Sequence, residues 1–139
     1  MSQQNISLLI LTVIANGSVS ENRAVAFNGS QASIAGQKVM GASVSRAATG
    51  EALAVVTSGT AIMESGAAIT VGQSLMSDSQ GRAVPVSGTL TVASGAVAVT
   101  SSAANGAILQ GAELPEYLFA DALQAASGAG ELIEVLLRR

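Results

Sequence analysis

The sequence contains no histidine and no cysteine. Without histidine, the most common general base is missing, together with Ser-His and Cys-His pairs and imidazole metal ligands. Without cysteine, neither a disulfide nor a thiolate metal site can form. The glycines form no dinucleotide fingerprint, no phosphate-binding loop ending in Gly-Lys and no Gly-x-Ser-x-Gly elbow. Almost every common catalytic apparatus is absent, so we expect neither an enzyme nor a bound cofactor.

Charged residues are scarce as well. They make up 11% of the chain, the formal net charge is −3, and the six lysines and arginines are scattered along the sequence. Proteins that bind nucleic acid normally show a basic stripe or patch. The sequence therefore predicts no direct contact with nucleic acid.

Long apolar runs are also missing, apart from "ISLLILTVIA" between Ile6 and Ala15. This run is too short to cross a bilayer as a helix, which takes about 20 residues. It follows "MSQQN", which lacks the positive charge that precedes the apolar part of a signal peptide. No membrane contact is expected. The Ile and Val content predicts a buried strand, with residues 1–20 as an N-terminal arm or strand.

Aromatic residues are rare, although the apolar fraction is 49%. The aromatic residues are Phe27, Tyr117 and Phe119, and much of the apolar content is Ala and Val. Burying a Val or Leu contributes about 1.5–3 kcal/mol, whereas ordering the backbone of one residue costs about 1–2 kcal/mol. Because small side chains leave a small margin, we expect contacts between subunits to supply part of the stability.

Turn-forming pairs punctuate the chain, among them Asn16-Gly17, Asn28-Gly29 and Ser58-Gly59. The segments between such pairs are short and apolar, for example "ALAVVT", "TAIME" and "RAVPV". This punctuation predicts one mainly β domain over residues 1–139. The predicted fold is a small β-sandwich or barrel-like domain of short strands and hairpins with little helix.

The segment "TLTVASGAVAVT", residues 89–100, predicts a β-hairpin that turns at "ASGA". Leu90 and Val92 share one face of its first strand, and Val97 and Val99 share one face of its second strand. The other faces carry Thr and Ala, which suit either solvent or a neighbouring subunit.

The C-terminal segment allows two structures. In "ELPEYLFADALQAASG", Pro115 is suited to open a helix and Gly128 to end it. Alternatively, this segment forms a hairpin with "ELIEVLLRR" through the turn "SGAG". The spacing alone does not decide between them. Glu131 and Glu134 are predicted to be exposed structural charges, and a helix would pair Glu134 with Arg138.

The segment "MSDSQGRAV", residues 76–84, contains one carboxylate, Asp78. A calcium site usually needs several oxygen ligands, often from more than one carboxylate. We therefore predict a turn here rather than a metal site.

Two longer segments resemble the small head-decoration or capsid cement proteins of tailed phages. The first is "ATGEALAVVTSGTAIMESGAAITVGQSLMSDSQGRAV", residues 48–84, in which a Gly-Glu precedes a Val-rich strand and glycines recur at the family's spacing. The second is "ALQAASGAGELIEVLL", residues 122–137, which is similar to the family's closing hairpin. Each motif is low in complexity, but their order and spacing are specific. The sequence departs from the pattern over residues 85–116, which read as an inserted hairpin.

The resemblance implies a mostly β structural protein of the virion. Such a protein is made in the host cytoplasm, assembles as a homotrimer on the outer surface of the capsid, contacts the major capsid protein and reinforces the lattice. It also favours the hairpin for the C-terminal segment, with Ile133, Val135 and Leu137 in the core and Glu131 and Arg138 near solvent. The alternative function is a head-fibre base or a carbohydrate-binding module on the virion surface.

Two apolar segments are the candidate interfaces with sister subunits or with the capsid. The alternative for both is ordinary core packing within one subunit. The candidate residues are Ile6, Leu8, Ile10, Thr12, Ile14, Leu90, Val92, Val97 and Val99.

Overall fold

A computed structural model describes residues 3–87 and 116–138, which contain eight β-strands and no helix. The strands are β1 (Ser7–Ile14), β2 (Ala24–Ala26), β3 (Val39–Ser43), β4 (Ala52–Glu64), β5 (Ser74–Ser77), β6 (Ala83–Pro85), β7 (Ala120–Ala122) and β8 (Leu132–Leu137). Within these residues, no helix is available that could span a membrane. The predicted mainly β fold is confirmed.

The strands form one antiparallel sheet that curls into a nearly closed barrel. Its order is β2-β3-β4-β8-β7-β5-β6, and β1 pairs with β4 beside this path. A parallel bridge between Ser65 and Ala83 brings the end of β4 to β6. The amide of Gly66 donates to the carbonyl of Ala83 at 2.8 Å. Because these contacts join distant members of the strand order, the sheet takes the barrel-like form that the sequence predicts.

β4 is a single long strand, although the sequence predicts a break at Ser58-Gly59. Gly59 has φ +95°, and a Cβ atom there would lie 2.3 Å from the carbonyl oxygen of Ile6. At this residue β4 changes its partner from β1 to β8, since Ser7 pairs with Gly59 and Thr60 pairs with Leu136. The glycine therefore permits a close crossing of the N-terminal chain inside a continuous strand. The predicted break is wrong.

Two hydrophobic clusters form the core. The larger one lies inside the barrel and includes Met63, Leu75 and Ile133. The smaller one contains Val25 and Leu53 with neighbours from β1 and β3. Many members of both clusters are Ala or Val, as the composition indicates, so each cluster buries limited area per residue.

The C-terminal segment forms a β-hairpin rather than a helix. Ala122 of β7 pairs with Val135 of β8. Ile133, Val135 and Leu137 are buried as predicted, while Glu131 and Arg138 are exposed. The alternation of large apolar residues outweighs the helix propensity of the preceding alanines, because one face of β8 packs into the barrel.

Asp78 forms a turn between β5 and β6, as predicted. Its Oδ1 accepts hydrogen bonds from the backbone amides of Gln80 and Arg82, both at 2.8 Å. Its Oδ2 accepts a further bond from Nε of Arg82 at 2.8 Å. The carboxylate is thus committed to the turn and to an ion pair. No group of three or more potential metal ligands occurs among residues 3–87 and 116–138.

The predicted hairpin of residues 89–100 lies outside the described residues. The two ends of the segment that contains it are described, and they meet. The backbone amide of Ser87 donates to Glu116 Oε2 at 3.3 Å, and the Ser87 hydroxyl donates to Glu116 Oε1. Ser87 and Glu116, which flank this segment, therefore lie side by side.

Candidate protein interface

β1 exposes almost all of its large apolar side chains. Five of them are between 41% and 75% exposed, namely Leu8, Leu9, Ile10, Leu11 and Ile14, and Ile6 just before the strand is 53% exposed. Leu8 is the most exposed at 75%. Exposed single apolar residues are ordinary in proteins, whereas a continuous exposed apolar group is unusual and makes this segment the candidate interface.

The predicted strand over the N-terminal run is confirmed, but its predicted burial is wrong. Ile6, Leu8, Ile10, Thr12 and Ile14 all lie exposed. The strand pairs with β4 along one edge, and no described element covers its side chains. Within the described residues, these five side chains are therefore not part of the core. The other four candidates, Leu90, Val92, Val97 and Val99, lie outside the described residues.

The opposite face of β1 is exposed too, although its residues are not among the candidates predicted from the sequence. Leu9 and Leu11 are about half exposed, and only Val13 packs against the smaller core cluster. The register with β4 shifts between Ser7 and Leu9 and again between Leu9 and Ile10. The sequence signal for two apolar faces is the unbroken apolar run. In a strand with one solvated face, apolar and polar residues would alternate.

β1 also has a free edge in the described part of the chain, where it pairs only with β4. Edge strands are commonly protected from other chains by charged residues, proline or short length. β1 has eight residues and contains neither a charged residue nor proline. It is therefore open to a partner at its edge as well as on its faces.

A buried carboxylate holds the chain that leads into β1. Glu134 in β8 is 1% exposed, and its oxygens accept hydrogen bonds from the amide of Gln4 at 2.9 Å and from the amide of Asn5 at 2.7 Å. The Thr60 hydroxyl donates to the same carboxylate at 2.7 Å and accepts a bond from the Ile6 amide. The prediction that Glu134 is an exposed surface charge is wrong, because the N-terminal chain covers it.

Two opposing effects act on the pKa of Glu134. Burial raises the pKa, but the hydrogen bonds from Gln4, Thr60 and Asn5 outweigh burial and hold the pKa below its ordinary value. Hydrogen bonds to the charged form have this effect because protonation weakens them. Arg138 takes no part here, since it forms an ion pair with Asp121 at 2.5 Å.

A second exposed group has mixed chemistry. Nζ of Lys38 lies 5.8 Å from the ring centre of Phe27 and 6.0 Å from that of Tyr117. Phe27 and Lys38 flank the connection between β2 and β3, and the amide of Tyr117 donates to the carbonyl of Gly36 in that connection at 2.9 Å. The two aromatic residues are 54% and 43% exposed. This group, which also includes exposed Ile34, is called the aromatic–lysine patch below.

The comparisons with known proteins agree with this geometry. A family model described as phage cement protein matches residues 3–137. The chain belongs to the phage cement protein family. It is a structural protein of the phage virion and is associated with the capsid, as this family is. The resemblance that the sequence analysis found is confirmed over nearly the whole chain.

One solved structure supports the fold of this cement protein. It is the crystal structure of the head fiber gp8.5 N base in bacteriophage phi29, with TM-score 0.62 and 16% sequence identity. The alignment covers 94% of this chain and 93% of the other. At this identity the similarity establishes a shared fold. No curated protein matches the chain.

Proposed function

We propose that this cement protein binds the outer surface of an assembled icosahedral head as a homotrimer, contacts the major capsid protein and stabilises the capsid lattice. The observation that carries the proposal is β1, whose eight residues expose apolar side chains on both faces and contain no charge. The protein is made in the host cytoplasm, where such a surface needs a permanent cover. Sister subunits provide that cover before the protein meets a capsid.

The stabilisation follows from mass action. A protein that binds the assembled lattice but not separated capsid subunits shifts the equilibrium toward the lattice by its binding free energy. Surface buried across capsid boundaries opposes separation of the subunits when packaged DNA presses outward. No catalytic group is needed for this role.

Two measurements test the proposal. Sedimentation or native mass spectrometry at micromolar concentration should give three times the monomer mass. Purified heads assembled without this protein should bind it at saturable sites and should then withstand higher temperature before losing DNA. A stable monomer would overturn the trimer, and failure to bind the parent heads would overturn the capsid function.

The fold similarity to the phi29 head fiber base favours a second candidate, the base of a head fibre or a carbohydrate-binding module on the virion surface. In such a role the barrel holds a projecting part that faces the host. Cryo-electron microscopy of the particle would show fibre density above each barrel, and a glycan array would show sugar binding. This candidate would be rejected if the particle showed no fibre density above the barrels and the array showed no sugar binding.

A further inference from the structure

Two exposed surfaces in the described part of the chain, β1 and the aromatic–lysine patch, differ in chemistry. β1 is uncharged and apolar on both faces, which suits a permanent contact between copies of one chain. The aromatic–lysine patch combines rings, an apolar neighbour and a charge. Because it carries a charge, such a surface can stay exposed to water before it binds a partner. Tyr is also enriched at the centres of protein interfaces.

The charge of the patch points to the chemistry of the partner. Among residues 3–87 and 116–138, three arginines form ion pairs with carboxylates: Arg23 with Glu64, Arg82 with Asp78, and Arg138 with Asp121. Lys38 instead lies over two aromatic rings, which leave its ammonium able to donate hydrogen bonds outward. Glu116, the residue before Tyr117, accepts hydrogen bonds from Ser87.

We propose that the aromatic–lysine patch is the surface that docks on the capsid, and that its partner is a carboxylate on the capsid exterior surrounded by apolar side chains. This inference rests on the proposed function and names the partner chemistry of that function. On docking, the Lys38 ammonium binds the carboxylate while Phe27 and Tyr117 exclude water around the ion pair. Removing water strengthens the pair because the local dielectric falls.

Head-binding assays with matched variants test the assignment. Lys38→Ala and Tyr117→Ala should each weaken binding to heads by at least about tenfold, as expected for central interface residues. Lys38→Arg should retain most of the affinity, because it keeps the cation over the rings. Arg46→Ala is the control: Arg46 is exposed and forms no ion pair among the described residues, so its removal changes the net charge equally. The wild-type affinity should fall with rising salt, and Lys38→Ala should lose most of this dependence.

The outcomes separate this assignment from the proposed function. If the wild-type protein binds heads and the Lys38 and Tyr117 variants bind equally well, the patch assignment is overturned and the capsid function stands. If these variants lose the trimer, the patch is a contact between copies, and the assignment is again overturned. If the wild-type protein does not bind heads at all, the proposed function fails, and this inference fails with it. Glycan binding that depends on Tyr117, without head binding, would also reject it.

Discussion

The carboxylate of Glu134 accepts a hydrogen bond from the backbone amide of Asn5 at 2.7 Å, across a sequence separation of 129 residues. This bond joins the two ends of the described chain. Asn5 has φ +49°, in the left-handed region, and its amide points to the Glu134 carboxylate. The exposed strand β1 is therefore positioned by a buried charge that belongs to the C-terminal hairpin.

Acid should release this connection. The folded-state pKa of Glu134 lies below the ordinary value of 4.5, so its contribution to stability is complete above that pH and is lost as the pH falls through the folded pKa. The NMR amide signals of Gln4 and Asn5 should stay constant from pH 7 to pH 5 and then titrate together with an apparent pKa below 4.5. Glu134→Gln should abolish this titration, and a midpoint above 4.5 would contradict the geometry.

The same variant should lower stability at neutral pH. Glu134→Gln keeps the shape of the side chain but replaces one acceptor oxygen with a donor that faces a backbone amide. The expected cost is about 1–3 kcal/mol in the free energy of unfolding, measured by urea denaturation. Glu131→Gln is the matched control, since Glu131 is exposed and its carboxylate bonds to Ser127 and Gly128 of the adjacent turn. Equal losses for both variants would refute a special role for Glu134.

A charge on β1 should prevent assembly without disturbing the fold. Leu8 is 75% exposed in the single subunit, so Leu8→Glu removes no core contact, yet it would place an unpaired charge in the proposed contact between subunits. Native mass spectrometry should show monomers, with an unchanged circular dichroism spectrum. Val71→Glu changes another exposed apolar residue away from β1 and should remain trimeric. Trimers of the Leu8 variant would exclude β1 from that interface.

A side chain at Gly59 should destabilise β4. Gly59→Ala introduces both a strained positive φ and a Cβ contact of 2.3 Å with the Ile6 carbonyl oxygen. Gly72→Ala is a matched control, because Gly72 also has positive φ but has open space around its Cβ position. The control should cost about 1 kcal/mol from backbone strain alone, and Gly59→Ala should cost clearly more in urea unfolding. Equal costs would show that the crossing of β1 and β4 can relax.

The segment between Ser87 and Glu116 should be replaceable. Because these two residues are hydrogen-bonded, a short Gly-Ser linker can join them without moving β6 or β7. The shortened protein should unfold cooperatively, within about 1 kcal/mol of the full chain in stability. Loss of cooperative unfolding would mean that the segment belongs to the core rather than to an insertion at 85–116.

Local patterns were sufficient for several elements. Asp78 followed by Ser-Gln-Gly predicts a turn, because a turn depends on neighbouring residues. For "LIEVLL" the spacing left helix and strand open, and the family resemblance favoured the strand. The absence of histidine and cysteine likewise needs no structure to limit the chemistry. The motifs of residues 48–84 and 122–137 were sufficient to indicate the family.

Tertiary structure decided what is covered and what is not. β1 has the composition of a buried strand, yet nothing in the described chain packs over it, and Glu134 is hidden because residues far away in sequence fold across it. Gly59 resembles a turn residue until the neighbouring backbone shows why a side chain cannot fit. Burial depends on long-range packing rather than on a residue's own neighbours. The sequence therefore determined strands and turns, and the three-dimensional structure determined which strand stays exposed.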